Sequence, residues 1–377
     1  EVDGMLSLGS PMVDYMLYGG LPEGRIIELS GAEGSGKTTT SFLIAASYQK
    51  AELERHPVGV EWEDNTRQLH EGPRGIIFLD NEGTLDPVWA SVFGYDLSEN
   101  ADVPTYVIRP EGQNAEQIFD MALDLLKTGE IGLMIFDSIA TLVPAQIAEE
   151  SQEKYQMGGI AKALTRFANT ALGLLRKYKA TLVAINQIRD NMSGYGQPIT
   201  TPGGRSWKHA CSSRLMFKKG AFFDENGDAL KSTAENPVGH TVEVALLKSK
   251  TARSDRRAGS YRLNYLKGVD VIMDTVECAL HFGMIDNSVQ GSYKIINPET
   301  GEIRLDENGD EVKIRGKKNV RTYFEEHPAE FRRLYEDVYE KIKEKESPFI
   351  DAFRAMLNDK ANDVFGEEVL SAGEDEI

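Results

Sequence analysis

Five short apolar runs, each closed by a polar residue, set the rhythm of the chain. Residues 25–30, 75–80, 105–108, 133–137 and 181–187 read as strands, the second, fourth and fifth ending in Asp80, Asp137 and Gln187. Apolar residues at helical spacing over 39–49, 115–127 and 158–178 predict amphipathic helices between them. Strands apolar on both faces, alternating with helices, predict a mostly parallel sheet covered on both sides. Residues 241–247 add a strand ending in Lys248-Ser249-Lys250. The stretch 52–73 is polar and patternless and reads as a surface insertion. From residue 268 the rhythm changes: a helix over 269–282, strand-like 292–296, turns at 297–301 and 307–310, and helices over 320–326 and 328–345 predict a small α/β C-terminal domain. The expected division is therefore 1–267, 268–360 and a tail, 361–377, whose last fifteen residues hold six acids and no base and read as disordered.

The first strand runs into Gly31-Ala32-Glu33-Gly34-Ser35-Gly36-Lys37-Thr38, the G-x-x-x-x-G-K-[ST] phosphate-loop spacing in its required strand–loop–helix setting. Its glycines let backbone N–H groups approach phosphate oxygens, Lys37 would reach the β- and γ-phosphates, and the Thr38 hydroxyl would sit on Mg2+. A glycine-rich turn with no ligand is the bland alternative. Parallel strands deliver side chains to one edge, which puts Glu82 beside this loop as a general base for the attacking water, or else as a turn carboxylate. Asp137, after four apolar residues, is a Walker-B-like aspartate that would hold Mg2+ through water. Gln187 ends the fifth strand where a γ-phosphate would be sensed.

Composition narrows the partners. Sixty acidic against 42 basic residues give a net charge of −18, so contact with nucleic acid must be local and oriented rather than bulk attraction. The two cysteines, Cys211 and Cys278, have neither metal spacing nor a disulfide-framework pattern, as expected of a cytoplasmic protein. The most apolar stretch, 132–148, is broken by Asp137 and Pro144, and no basic-then-apolar leader opens the sequence, so neither a membrane span nor export is expected.

Five motifs in order, Glu33-Gly34-Ser35-Gly36-Lys37-Thr38-Thr39, Leu79-Asp80-Asn81-Glu82-Gly83-Thr84-Leu85-Asp86-Pro87, Phe136-Asp137-Ser138-Ile139-Ala140-Thr141-Leu142-Val143-Pro144, Ile185-Asn186-Gln187-Ile188-Arg189 and Thr200-Thr201-Pro202-Gly203-Gly204, make the chain resemble the RecA-family recombinases, of the bacterial type or a phage-borne version. The resemblance covers most of the sequence. It implies a RecA-type P-loop ATPase core using ATP and Mg2+, in a bacterial or phage-infected cell. Glu82 would activate water, Asp137 would associate with the metal and Gln187 would couple the γ-phosphate to a DNA-binding loop. Gly31 to Thr39, with Glu33 among them, would cradle the nucleotide. Asp86, Trp89 and Tyr265 would flank the adenine, although a lone tryptophan is often only packing. Lys248 and Lys250 would cross to a neighbouring subunit's γ-phosphate, placing ATP at the interface of a helical filament.

Two loops, about 148–158 and 188–204, would face single-stranded DNA. Met157 and Met192 would wedge between bases, and Lys162, Arg189 and Arg205 would meet phosphates alongside Gly203 and Gly204. The basic Arg315-Gly316-Lys317-Lys318 would help to gather duplex DNA, and the acidic tail would compete for basic surfaces. The Asp137–Ser138 peptide is expected to be cis. Against the pattern, the second loop is slightly short, Asn169 replaces a frequent basic residue, His209 stands where an aromatic couples subunits, and the family's leading helix and strand do not precede Glu1, which weighs against a stable filament. The predicted function is ATP-dependent pairing of single-stranded DNA with homologous duplex and strand exchange. A hexameric RecA-fold helicase and a regulatory recombinase paralogue are the alternatives.

Overall fold

The computed structural model describes residues 4–145, 159–190, 199–225, 227–298, 300–306, 308–344, 355, 356 and 358. Its centre is a ten-stranded sheet. From one edge the strands run Thr105–Ile108, Gly75–Asp80, Ile131–Asp137, Thr181–Gln187, Ile26–Gly31 and Ser213–Phe223, all parallel to their neighbours. Gly239–Ser249, Ala258–Asn264 and Gly268–Val269 continue it antiparallel, and the short Ala229–Leu230 pairs antiparallel with the end of Ser213–Phe223 as the tenth strand. The parallel half alternates at period two between two buried faces. Ile27, Ile76, Phe78, Leu133, Ile135 and Val183 pack beneath helix Lys37–Arg55 through Phe42, Ile44 and Tyr48. Ile26, Ile77, Leu79, Met134, Phe136 and Leu182 pack beneath helices Ala115–Lys127 and Gly159–Tyr178, where Phe119 stacks on Phe167 at 4.6 Å between ring centres.

A third core joins Met12 and Tyr15 of the short helix Pro11–Met16 to helix Val271–His281, a three-stranded antiparallel sheet and helices Lys317–Glu326 and Pro328–Lys343. Buried Arg256 ties these parts, donating to the carbonyls of Tyr15 at 3.0 Å and Ile342 at 2.8 Å with its guanidinium over the Tyr18 ring.

The stretch 52–73 is largely exposed, as expected of a surface insertion, but it is not patternless. Helix Lys37–Arg55 runs six residues beyond its apolar pattern, and Glu52, fully buried, holds Arg74 side-on at 2.8 and 2.9 Å. A small hairpin, Glu61–Glu63 with Leu69–Glu71, covers that pair, and Trp62 stacks on both His56 and His70. Charged residues conceal a helix when their burial depends on a partner distant in sequence.

Candidate functional site: the carboxyl edge of the sheet

Topology alone brings the phosphate loop, Asp80, Asp137 and Gln187 to one edge, because their strands are parallel and adjacent. Gly34 and Gly36 have φ of +68° and +96°, in the left-handed region, and a Cβ at Gly34 would meet nothing within 4 Å. The loop therefore has open space where backbone N–H groups are presented. Buried Lys37 folds back over it, donating to the Ala32 carbonyl at 2.6 Å, while Ser35 closes the same turn at 2.7 Å. Burial lowers the Lys37 ammonium's pKa against the opposing pull of Asp137, Glu82 and Glu33. Thr39 lies buried behind the loop and Glu33 is exposed at its tip.

Thr38 donates its hydroxyl to Asp137 Oδ2 at 2.7 Å. Burial pushes the Asp137 carboxyl up to about 6, and Glu82 and Asp80 add to the rise while Thr38 and Lys37 oppose it. The Asp137–Ser138 peptide is cis, as expected. Glu82, exposed, accepts from Ser138 Oγ at 2.7 Å and from Gln187 Nε2 at 3.2 Å, so one carboxylate joins three of the sequence motifs. Among the described residues no group of three His, Cys, Asp or Glu side chains could hold a metal ion. The pair Thr38 and Asp137 nevertheless suits Mg2+, which keeps most of its shell as water and phosphate oxygen.

The other expected nucleotide contacts have partners of their own. Asp86 caps helix Pro87–Val92, accepting from the Val88 and Trp89 amides, and partly buried Trp89 packs edge-on to Phe93 at 4.8 Å. The Tyr265 hydroxyl pairs with His240 Nδ1 at 2.9 Å. Buried Lys248 donates to the Lys208 carbonyl at 2.6 Å, and exposed Lys250 donates to that of His209. Both ammonium groups thus sit on the carbonyl end of helix Gly204–Ala210, where cations are favoured.

A groove on the same molecule is lined by Lys162, Thr165, Arg166 and Asn169 of helix Gly159–Tyr178 and by Gly203, Gly204, Arg205 and Ser206. It collects Lys162, Arg205 and both glycines from the expected DNA contacts. It also adds Arg166, which sequence reasoning missed although it lies one helical turn from Lys162. Arg189 is exposed at the stem of the second loop, where residues 189–190 pair with 199–200. Met157 and Met192, the whole of 148–158 and residues 191–198 lie outside the described residues, as does the tail. Asn169 and His209 are exposed, and Lys317, from the basic C-terminal stretch, lies 3.7 Å from Glu277.

A phosphate loop opening a helix, flanked by an acid, an aspartate and an amide on the neighbouring parallel strands, defines a P-loop nucleoside triphosphatase. The family model for the RecA N-terminal domain matches residues 1–62 and 67–270, the gap falling at the turn of the Trp62 hairpin. The chain is 31% identical to Protein RecA of Fusobacterium nucleatum over 77% of its length and 72% of that protein. It is 30% identical both to Protein RecA of Aquifex aeolicus, over 86% of the chain and 79% of the relative, and to that of Thermus aquaticus, over 92% and 86%. The chain belongs to the RecA family. It is accordingly an ATP-dependent DNA recombinase and a DNA-dependent ATPase, and the helicase and paralogue alternatives are not favoured.

Proposed function

We propose that hydrolysis takes place at Glu82, on ATP held by residues 31–39, during pairing of single-stranded DNA with homologous duplex. The carrying observation is that Glu82, Ser138 and Gln187 are bonded together beside the Thr38–Asp137 pair. Glu82 accepts a proton from the attacking water, and Lys37 leaves the Ala32 carbonyl for phosphate oxygens. Gln187 exchanges its bond to Glu82 for the γ-phosphate. Thr38 and Asp137 hold Mg2+, which when bound neutralises phosphate charge.

Asp86, Trp89 and Tyr265 form the adenine side. Lys248 and Lys250 act in trans, giving up helix carbonyls for the γ-phosphate of the next protomer in a filament. Single-stranded DNA lies along the Lys162–Arg166–Arg205 groove with its backbone near Gly203 and Gly204, joined by Arg189, Met157 and Met192. The sequence motifs and the clustered cations support this placement against the negative net charge. Residues 268–360 form the domain that contacts duplex, and the acidic tail competes with it. The working compartment is the cytoplasm. Both cysteines are buried and unpaired with each other, and among the described residues no helix is long and apolar enough to cross a membrane.

The test is DNA-stimulated ATPase and strand exchange by wild type, Lys37→Ala and Glu82→Gln. Both variants should lose hydrolysis, and equal turnover by all three would overturn the site.

A further inference from the structure

Glu28 stands in the middle of the strand that feeds the phosphate loop, and it is fully buried among apolar neighbours. Its Oε1 accepts from Asn186 Nδ2 at 2.8 Å and from the Trp207 indole N–H at 2.9 Å, and its Oε2 accepts from Arg214 Nε at 2.7 Å. Burial pushes its carboxyl pKa up, but the Arg214 charge and the three donors more than reverse this and hold it below the ordinary range. One carboxylate is thus fixed by side chains from three other elements, and displacement of any of them breaks a charge-assisted bond.

Bonded paths lead from Glu28 toward both sites. On the nucleotide side, Asn186 Oδ1 accepts from the Gln187 amide at 3.0 Å, and the Gln187 side chain reaches Glu82 at 3.2 Å. On the other side, Asn186 Nδ2 also donates to the Pro202 carbonyl at 2.9 Å, and Arg214 reaches Thr201 Oγ1 at 3.4 Å, both at the end of the second loop. Trp207, fully buried, is the midpoint of helix Gly204–Ala210. Residues of that helix line the cationic groove at its start and hold Lys248 and Lys250 at its end.

We propose that Glu28 is a positioning residue that couples the two sites: through Asn186 it registers where Gln187 lies, and through Trp207 and Arg214 it sets the helix and loop end that border the DNA groove. This rests on the reading of Gln187 as the γ-phosphate sensor and of the groove as the DNA site. Coupling of this kind is reciprocal: if ATP raises affinity for DNA by some factor, DNA raises affinity for ATP by the same factor. A buried ion pair that only holds the fold together would change stability and leave that factor alone.

The experiment measures affinity for a non-hydrolysable ATP analogue with and without oligo(dT), and affinity for oligo(dT) with and without the analogue. It uses the full chain as wild type, Glu28→Gln and Trp207→Phe. Glu28→Gln keeps the shape and removes the charge. Trp207→Phe removes the indole donor and leaves the Glu28–Arg214 pair, so it decides the matter should Glu28→Gln fail to fold. Wild type should show a coupling factor of roughly 10–100. Trp207→Phe should lower it at least about five-fold, equally in both directions, with ATPase in the absence of DNA within about two-fold of wild type. Glu28→Gln, where folded, should lower it further. Undiminished coupling in folded Trp207→Phe overturns the role of Glu28 alone. A wild type with no coupling overturns the functional reading and this inference with it.

Discussion

The two halves of the proposed nucleotide site are built on different terms. At the phosphate end, Thr38 is bonded to Asp137 and Glu82 to both Ser138 and Gln187, all inside one chain. At the other end every candidate is engaged elsewhere: Asp86 caps a helix, Trp89 packs on Phe93, Tyr265 meets His240, and Lys248 and Lys250 hold the last carbonyls of helix Gly204–Ala210. Adjacent parallel strands assemble the first half without help. To act as proposed, the second half must trade existing partners for ligand or neighbour. Lys248 can make that trade at modest net cost, because a charge-assisted bond to carbonyl oxygen is replaced by one to phosphate oxygen.

The largest effect should come from the self-contained half. Lys37→Ala removes the buried ammonium over the loop, and steady-state phosphate release should fall by about 10^3-fold or more. Glu82→Gln keeps the hydrogen bonds that an amide can make and loses the base, so turnover should fall about 10^2- to 10^4-fold with ATP still bound. A Glu82→Gln protein that hydrolyses normally would reduce that carboxylate to a turn residue.

The comparison breaks most directly by mixing. If the lysines act in trans, Lys37→Ala subunits still offer good lysines and Lys248→Ala subunits still offer a good loop. Randomly mixed one to one on DNA, about a quarter of the head-to-tail interfaces are then intact, and about that share of wild-type ATPase should return. A site completed within one chain predicts no recovery at all.

What sequence made legible follows the same division. Strands Gly75–Asp80 and Thr181–Gln187 lie where their apolar pattern put them, because residues buried on both sheet faces leave an unbroken signal, and the half-exposed edge strand Thr105–Ile108 and the amphipathic helix Ala115–Lys127 were legible too. Ser213–Phe223 escaped notice because Lys218-Lys219-Gly220 interrupts it, and Pro11–Met16 because a helix buried all round has no polar face. The Glu28 cluster and the Glu52–Arg74 pair depend on partners far apart in sequence. Glu28 did leave one trace, a lone acid in an otherwise apolar strand, which calls for either a buried cation or a protonated carboxyl.

A third measurement sharpens the cost of assembling the phosphate half. Burial holds the Asp137 carboxyl at about 6, above its unfolded value, so the folded chain binds the extra proton between about pH 4 and 6. Its contribution to stability is therefore fully present below the unfolded pKa and is lost as pH rises through the folded one. Asp137→Asn escapes that loss. At pH 8 without nucleotide it should be more stable than wild type by up to about 3 kcal/mol, and the gap should close toward pH 4. Chemical denaturation across that range checks the sign. Adding Mg2+ and ATP should stabilise wild type and leave the variant behind.

The smallest effect is expected on the proposed adenine side. Trp89 is partly buried against the core and lies at right angles to the Phe93 ring, and a purine stacked on its indole would add to that packing. Trp89→Ala should weaken ADP binding by about 1 kcal/mol, several-fold in Kd by calorimetry, with turnover at saturating ATP unchanged. Trp89→Phe should restore most of the loss, because it keeps a stacking plane. Equal ADP affinity in all three proteins would leave Trp89 as packing for Phe93 and move adenine recognition elsewhere. A loss of affinity that Trp89→Phe fails to recover would instead assign the effect to disturbed packing in helix Pro87–Val92, which Asp86 caps.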